Sequence, residues 1–395
     1  MAQRKGGEVM GQRVLLGMSG GVDSSVAAYL LKEQGDEVIG ATMRLWVDED
    51  SLDLGGCCSL SAVEDARFVA HKLGIPHYVL NYKEIFREQV VDYFVAEYKA
   101  GRTPNPCIAC NSRVRFTTFL EQAQALGCHY IATGHYARIT ERGDDRGDGS
   151  FCRALPTKGT VPSVGFCRPL SRNEARCSYR LQRAVDRQKD QTYMLFRMTE
   201  EQMAQTLFPL GALEKTAVRA IAAKLGLAVA NKPDSQEVCF IPDDNYKRFL
   251  QTAGVSFRPG KIVDEAGQVL GSHAGIHGYT VGQRKGLGLT SPEPLYVLRI
   301  DPVQNLVVVG PAASLMKREV VIDELHFLEK PTPSCELTAK VRYSNTRDGT
   351  PCTVSLLGGD RALVVFREAV RAPTPGQSLV IYRGDLVVGG GTIVD

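Results

Sequence analysis

An apolar run, Val14-Leu-Leu16, meets the glycine turn Gly17-Met-Ser-Gly-Gly21, and the turn opens at once into a helical pattern from Val22. A strand that feeds a helix through such a turn makes an anion site. Glycine tolerates backbone conformations closed to other residues and lets a phosphate approach, and the first amides of a helix have no intrahelical acceptor. Ser19, Ser24 and Ser25 add hydroxyl donors. The Lys-Ser/Thr pair with which a P-loop grips terminal phosphates is missing, which disfavours a kinase or GTPase. The plainer alternative is a Gly-Gly turn in which Asp23 or Ser24 caps a helix.

The segment Ser19-Gly-Gly-Val-Asp-Ser24 resembles the pyrophosphate-binding loop of the ATP pyrophosphatase superfamily, whose members split ATP into AMP and pyrophosphate to activate an oxygen for displacement. Amide ligases, synthetases and sulfur-transfer enzymes share this loop, so the resemblance gives a reaction type and leaves the substrate open.

The downstream pattern predicts a parallel sheet. Val26, Leu30 and Leu31 mark one face of a helix that Gly35 ends, and a strand follows from Glu37 to Met43. Ser61 with Glu64 reads as a capping box before a helix ended by Gly74, ahead of the strand His77–Leu80. Helices at about 84–99 and 113–126 bracket a Pro-rich loop, and His129–Thr133 supplies a further strand. This alternation predicts an α/β, Rossmann-like sheet with helices on both faces, whose ligands lie beyond the carboxyl ends of the strands. Ser19 to Ser24, Met43 and Gly134-His-Tyr136 then share one rim.

From Thr140 to about Gln188 periodicity is lost, which predicts a long surface insertion. Arg168, Arg172, Arg176, Arg180, Arg183, Arg187 and Lys189 face only Glu174 and Asp186, so its later half reads as a phosphate-contact surface or as a solvated loop. Thr199 with Gln202 forms another capping box, and Thr216–Leu225 a short helix closed by Gly226. Beyond about Asn245, short β-type runs recur at 261–263, 296–300, 306–309, 320–322, 337–343, 362–366 and 379–382, which predicts a small β-rich central domain followed by a small barrel or sandwich. The expected division is 9–244, 245–308 and 309–395.

The 395 residues, 44% apolar and 23% charged, suit an ordinary globular chain of two or three domains. A net charge of +3 says little about nucleic acid, because local patches decide such binding. The basic start has no apolar run behind it, so neither a signal peptide nor a membrane anchor is expected and the chain reads as cytoplasmic. Its eleven cysteines are then expected to stand mostly as thiols.

Two cysteine settings stand out. Cys107 and Cys110 lie in Gly101-Arg-Thr-Pro-Asn-Pro-Cys-Ile-Ala-Cys110, read as a turn just before a helix, where amides lower a thiol pKa. Cys239 lies in the loop Pro233-Asp-Ser-Gln-Glu-Val-Cys-Phe-Ile-Pro242. Half of a zinc site, a thioredoxin-like dithiol, and a carrier and attacker drawn one from each segment are the competing readings. The other cysteines, Cys57, Cys58, Cys128, Cys152, Cys167, Cys177, Cys335 and Cys352, read as small buried or loop residues.

Several ordered motifs together resemble the tRNA-specific 2-thiouridylase family from about Arg13 to the C-terminus. They are Gly17–Ser24, Ala100–Pro106 with Cys110-Asn111, Ala132-Thr-Gly-His-Tyr136, Lys189-Asp-Gln191, Asp234–Ile241, Thr280-Val-Gly-Gln-Arg-Lys-Gly-Leu-Gly288 and Thr374-Pro-Gly-Gln-Ser378. The resemblance implies a cytoplasmic enzyme that places sulfur at C2 of wobble uridine 34 in tRNAs for Lys, Glu and Gln, using ATP with Mg²⁺. It implies Cys110 as nucleophile and Cys239 as the persulfide carrier, the two closing as a disulfide redox pair, with Asp23 in the catalytic loop. ATP is expected against Gly17, Met18, Ser19, Gly20, Gly21, Val22, Asp23, Ser24, Met43 and Gly134. Asn105, Pro106 and Cys107 are expected at the target base, and His135, Lys189, Asp190, Gln191, Arg342, Tyr343 and Gln377 on the tRNA. A sulfur-donor protein, either a cysteine desulfurase or a relay carrier, is the implied partner. The insertion before Lys189 is longer than that pattern expects.

Two rival readings come from other classes. An ATP-dependent ligase delivering nitrogen would need an ammonia source, and no glutaminase segment is visible. A catalytically idle RNA-binding protein with Cys110 and Cys239 as a redox switch would not need the nucleotide loop.

Overall fold

The computed structural model describes residues 11–46, 60–141, 179–232, 238–241, 243–331, 336–342 and 348–394. Close contacts divide the chain into two units, one formed by 1–83, 114–192 and 198–240 and the other by 84–113, 193–197 and 241–395.

The first unit is built on a parallel five-stranded sheet, β3-β2-β1-β4-β7, from β1 (Arg13–Gly17), β2 (Glu37–Arg44), β3 (His77–Asn81), β4 (Tyr130–Ala132) and β7 (Thr206–Leu207). Side chains alternate across a strand, and both faces of β1 are covered. Val14 and Leu16 join the core made with the helices Val22–Glu33, Leu60–Leu73 and Lys215–Lys224, while Leu15 is equally buried on the opposite face. Each such side chain contributes roughly 1.5–3 kcal/mol by leaving water, so Leu16→Asp would unseat the strand that aims the glycine turn. The helix Leu60–Leu73 already includes Ser61, which therefore sits inside the first turn and not at the expected cap. Thr199 does cap Glu200–Ala204, with both halves of its capping box made.

The expected surface insertion is partly regular. Tyr179–Arg183 forms β6, antiparallel to β5 (Ala137–Glu141), with Ala137 opposite Arg183. Arg183 is only 2% exposed, so it does not belong to a phosphate-contact surface. Arg168, Arg172 and Arg176 lie outside the described residues.

In the second unit, β8 (Gly260–Val263), β9 (Val269–His273), β10 (Tyr296–Asp301) and β11 (Leu306–Gly310) form a sheet in the order β10-β11-β8-β9. A six-stranded barrel follows, made from β12 (Met316–Phe327), β13 (Leu337–Val341), β14 (Thr350–Gly358), β15 (Arg361–Arg371), β16 (Ser378–Arg383) and β17 (Leu386–Ile393). Its order is β12-β15-β14-β13-β16-β17, and β17 pairs back onto β12 to close it. Closure removes sheet edges and resolves the choice between barrel and sandwich. The helix Tyr246–Thr252 opens the expected β-rich region ahead of its first strand. It packs on the segment 84–99, with Phe249 against Phe94 and Tyr246 against Tyr98. Among the described residues no helix is long and apolar enough to cross a membrane.

Candidate active site

The glycine turn takes the conformation its sequence calls for. Gly20 has φ +69°, and a Cβ there would lie 2.2 Å from the Ala62 carbonyl oxygen, so both its handedness and its packing require glycine. The helix Val22–Glu33 is preceded by Gly21 with no side-chain cap, so neither Asp23 nor Ser24 caps it. Its first amides point outward without a side-chain acceptor, the arrangement that receives a phosphate. Ser24 Oγ instead accepts from the Ser19 amide at 3.2 Å and donates to the Gly21 carbonyl at 3.2 Å, which stiffens the turn from within.

A carboxylate in an anion-binding loop would repel its ligand. Asp23 escapes this because Lys215 Nζ lies 2.8 Å from both of its oxygens and Tyr136 Oη donates to it at 2.8 Å. Lys215 opens the helix Lys215–Lys224, whose first amide donates to Asp186 Oδ2 at 2.9 Å. Burial works against the Asp186 carboxylate, but backbone amides of Lys215, Gln188 and Lys189 outweigh it and hold its pKa below the ordinary value. A second lysine, Lys232, pairs with Asp65 at 2.8 Å and reaches 3.4 Å from the Gly20 carbonyl oxygen. Neither lysine is marked by the sequence. Lys215 lies 192 positions from Asp23 and reads locally as a solvated residue at a helix start.

The expected rim is assembled. A Cβ on Gly134 would lie 2.9 Å from the Ser24 amide nitrogen, so the end of β4 rides directly on the helix N-terminus, and Met43 Cε lies against Gly17. Met18 turns its side chain inward over Gly40, leaving only its backbone toward the turn. His135 packs between Phe116 and Phe208 and shares a hydrogen bond of 2.8 Å with Thr133 Oγ1. Desolvation, helped by the charge of Arg115, pushes its pKa down to about 3, so it stands as a neutral imidazole at neutral pH. Asp190 accepts from the Ala184 amide and from Thr192 Oγ1, and Gln191 bonds both backbone groups of Tyr136. These two residues brace the loop, which also carries the cations Arg187 and Lys189.

Cys239 is half-buried, and its neighbour Phe240 is buried edge-on against Trp46, just beyond β2. The carboxyl end of β2 thus anchors this thiol's segment within the nucleotide unit.

In the second unit, Asn105 caps a helical turn, Pro106–Ala109, its Oδ1 accepting from the Cys107 amide at 3.1 Å. Helical structure therefore starts at Pro106, not at Arg113. Cys107 is exposed in the first turn, while Cys110 is buried inside the helical segment where it enters the π-type turns of Cys110–Thr118. Asn105 and Asn111 both donate to Met194, at 3.5 Å to Sδ and 3.1 Å to the carbonyl, pinning both ends of the cysteine pair. Gln377 is 2% exposed and donates to the Thr103 and Pro104 carbonyls at 2.8 and 3.3 Å. It therefore braces the segment before Asn105 from inside the fold. Arg342 is exposed at the end of β13, and Tyr343 lies outside the described residues. Among the described residues no three His, Cys, Asp or Glu side chains converge as a metal set.

An uncapped helix N-terminus behind a glycine turn, on a parallel sheet and followed by two β-rich modules, defines a nucleotide-binding enzyme class. Residues 12–243 match the family model described as a tRNA methyl transferase HUP domain. Residues 247–311 match a tRNA methyl transferase PRC-barrel domain, and 317–393 an aminomethyltransferase beta-barrel domain. A relative from Clostridioides difficile, tRNA-specific 2-thiouridylase MnmA, is 47% identical over 388 residues, covering 97% of this chain and 98% of the relative. Relatives of the same name from Clostridium perfringens and Heliobacterium modesticaldum are 48% and 47% identical, covering 97% and 98% of this chain and 98% and 93% of their own lengths. The chain belongs to the tRNA-specific 2-thiouridylase family.

Proposed function

We propose that this chain is a tRNA-uridine 2-sulfurtransferase that uses ATP to replace O2 of uridine 34 with sulfur in tRNAs for Lys, Glu and Gln. The observation that carries the reading is the uncapped N-terminus of Val22–Glu33 behind Gly20, with the neighbouring Asp23 neutralised by Lys215. The C2 carbonyl of uracil is a poor electrophile until its oxygen becomes a leaving group. Attack of O2 on the α-phosphate of ATP expels pyrophosphate, whose charge the turn amides and a Mg²⁺ ion held mainly by the phosphates would stabilise. Gly17–Ser24, Met43 and Gly134 are the proposed nucleotide contacts.

A sulfur-donor protein, a cysteine desulfurase or a relay carrier, loads a persulfide on Cys239. Either Cys110 thiolate attacks the persulfide's inner sulfur, freeing hydrosulfide that adds at C2 and expels AMP, or the terminal sulfur adds at C2 with loss of AMP and Cys110 then attacks the Cys239 sulfur to release the 2-thiouridine; both routes leave a Cys110–Cys239 disulfide. An external dithiol, available in the cytoplasm, returns the disulfide to two thiols. A stacked base is unreachable, so uridine 34 must be extruded, with the Asn105–Cys107 turn proposed beside it. His135, Lys189 and Arg342 are the proposed tRNA contacts, with Asp190, Gln191 and Gln377 acting through the loops they brace. We retain 9–244, 245–308 and 309–395 as functional domains.

Cys239→Ser tests the sulfur steps. The variant should retain ATP- and tRNA-dependent pyrophosphate release while sulfur-35 incorporation into RNA disappears. Normal thiolation by it would remove the carrier role.

A further inference from the structure

The loop Thr280–Gly288 is fastened on both sides of two exposed cationic side chains. Gly282 donates to the Val297 carbonyl at 2.8 Å, and Val297 returns a bond to the Gln283 carbonyl at 2.9 Å, so the loop is stitched to β10. Gln283 closes it from inside, its Oε1 accepting from the Thr280 amide at 3.1 Å and its Nε2 donating to the Lys285 carbonyl at 2.9 Å. Gly282 and Gly286 take φ +87° and +75°, conformations that a side chain would strain, and Leu287 is buried in the core of the central sheet. Between these fastenings stand Arg284 and Lys285, both exposed.

Neither cation finds a side-chain partner among the described residues. Nearby cations are engaged. Lys247 rests its ammonium 5.5 Å from the Tyr279 ring, and Arg299 pairs with Asp301 at 2.9 Å. Two adjacent like charges repel one another, so a loop held rigid to present them unpaired fits a polyanion better than it fits a structural turn. We propose that Arg284 and Lys285 are a ribose-phosphate contact, gripping the backbone of the RNA substrate without reading its sequence. This contact would position the RNA on the central sheet while other residues select the base. It rests on the function proposed above and adds a binding element to it.

The test is tRNA affinity as a function of salt, measured by anisotropy for the intact protein, R284A/K285A and R284K/K285R. Two lost phosphate contacts should flatten the slope of log K against log salt by about 1.4 to 1.8. Affinity at low salt should fall about tenfold or more, with the KM for ATP and the thermal midpoint unchanged, and R284K/K285R should keep the native slope. An unchanged slope in R284A/K285A, with the parent protein binding normally, overturns the proposal and leaves the enzyme function standing. So does a defect seen only when sulfur comes from a donor protein and not from free sulfide, which would assign the loop to an acidic protein partner. A parent protein that neither binds nor thiolates tRNA would instead overturn the functional reading itself.

Discussion

Lys215 closes on Asp23 with its ammonium 2.8 Å from each carboxylate oxygen, and this pair fixes the electrostatics of the glycine turn. The side chains are 10% and 30% exposed, so the pair is well shielded from water without being fully desolvated. Tyr136 occupies the same carboxylate from another side, and its ring lies 5.7 Å from the Lys215 ammonium. A turn with a free carboxylate would repel pyrophosphate, whereas the paired turn presents only amides and hydroxyls.

Lys215→Met should therefore damage two properties together. Removing one partner of a shielded pair costs about 1–3 kcal/mol, the partial exposure of Asp23 keeping it below the full buried-pair range. The exposed charge should also raise the KM for ATP about tenfold, the equivalent of about 1.4 kcal/mol. Asp23→Asn added to Lys215→Met should recover most of the stability and part of the KM. A double variant no better than the single would show that the lysine acts by some route other than neutralising Asp23, which chemical denaturation and initial-rate kinetics can decide.

The half-buried imidazole of His135, packed between Phe116 and Phe208, predicts an acid limit. Its folded pKa is about 3 against an ordinary 6.5, so below about 6.5 the unfolded chain binds the proton that the folded chain refuses. Stability from this residue is complete above about 6.5 and declines as pH falls from there toward 3. His135→Gln should flatten the dependence of the denaturation midpoint on pH between about 6 and 4. The activity profile should show no imidazole inflection near 6.5 that this substitution removes.

Thiol accessibility should separate the cysteines. Burial pushes Cys352 up to about 12 and also raises Cys128, so both remain protonated and sterically shielded at neutral pH. Among the described cysteines, iodoacetamide at pH 7.5 followed by peptide mass mapping should label Cys107 and Cys239 first, Cys110 slowly, and Cys128 and Cys352 only on unfolding. Early labelling of Cys352 would contradict the closed barrel.

Much of this architecture is legible in the sequence because local signals and tertiary needs agree. The Gly20-Gly21 turn, the Thr199 to Gln202 capping box and Gly226 each specify their conformation within a few residues. The hidden parts are those set by long-range packing. Gly389-Gly-Gly391, not among the expected β-type runs, is the heart of β17. A Cβ at those positions would lie 2.2–2.5 Å from carbonyl oxygens of His326, Leu379 and Asp323, so the barrel closes only over glycine. Arg183 reads as surface charge, but its strand pairing carries it inward. Lys215 and Tyr136 acquire meaning only once the sheet brings them to Asp23.

Gln377 offers the sharpest separation between a contact inferred from resemblance and a role given by geometry. Its amide holds the Thr103 and Pro104 carbonyls, while Thr103 donates to the Pro375 carbonyl at 2.9 Å. Gly376, at φ +86°, permits this approach, since a Cβ there would lie 3.0 Å from the Thr103 nitrogen. The strand start at Thr374–Ser378 thus fixes the segment that leads into the Asn105 cap and the two cysteines of its helical turn. Gln377→Ala would leave two enclosed carbonyls without donors, at about 1–3 kcal/mol. It should slow sulfur transfer several-fold while the KM for ATP stays unchanged. Its tRNA affinity and salt slope should also stay within twofold of the parent, because the side chain is enclosed and its amide is spent on the Thr103 and Pro104 carbonyls. A loss of affinity with a flatter salt slope would mean that the bound state opens this brace and exposes Gln377 to the substrate.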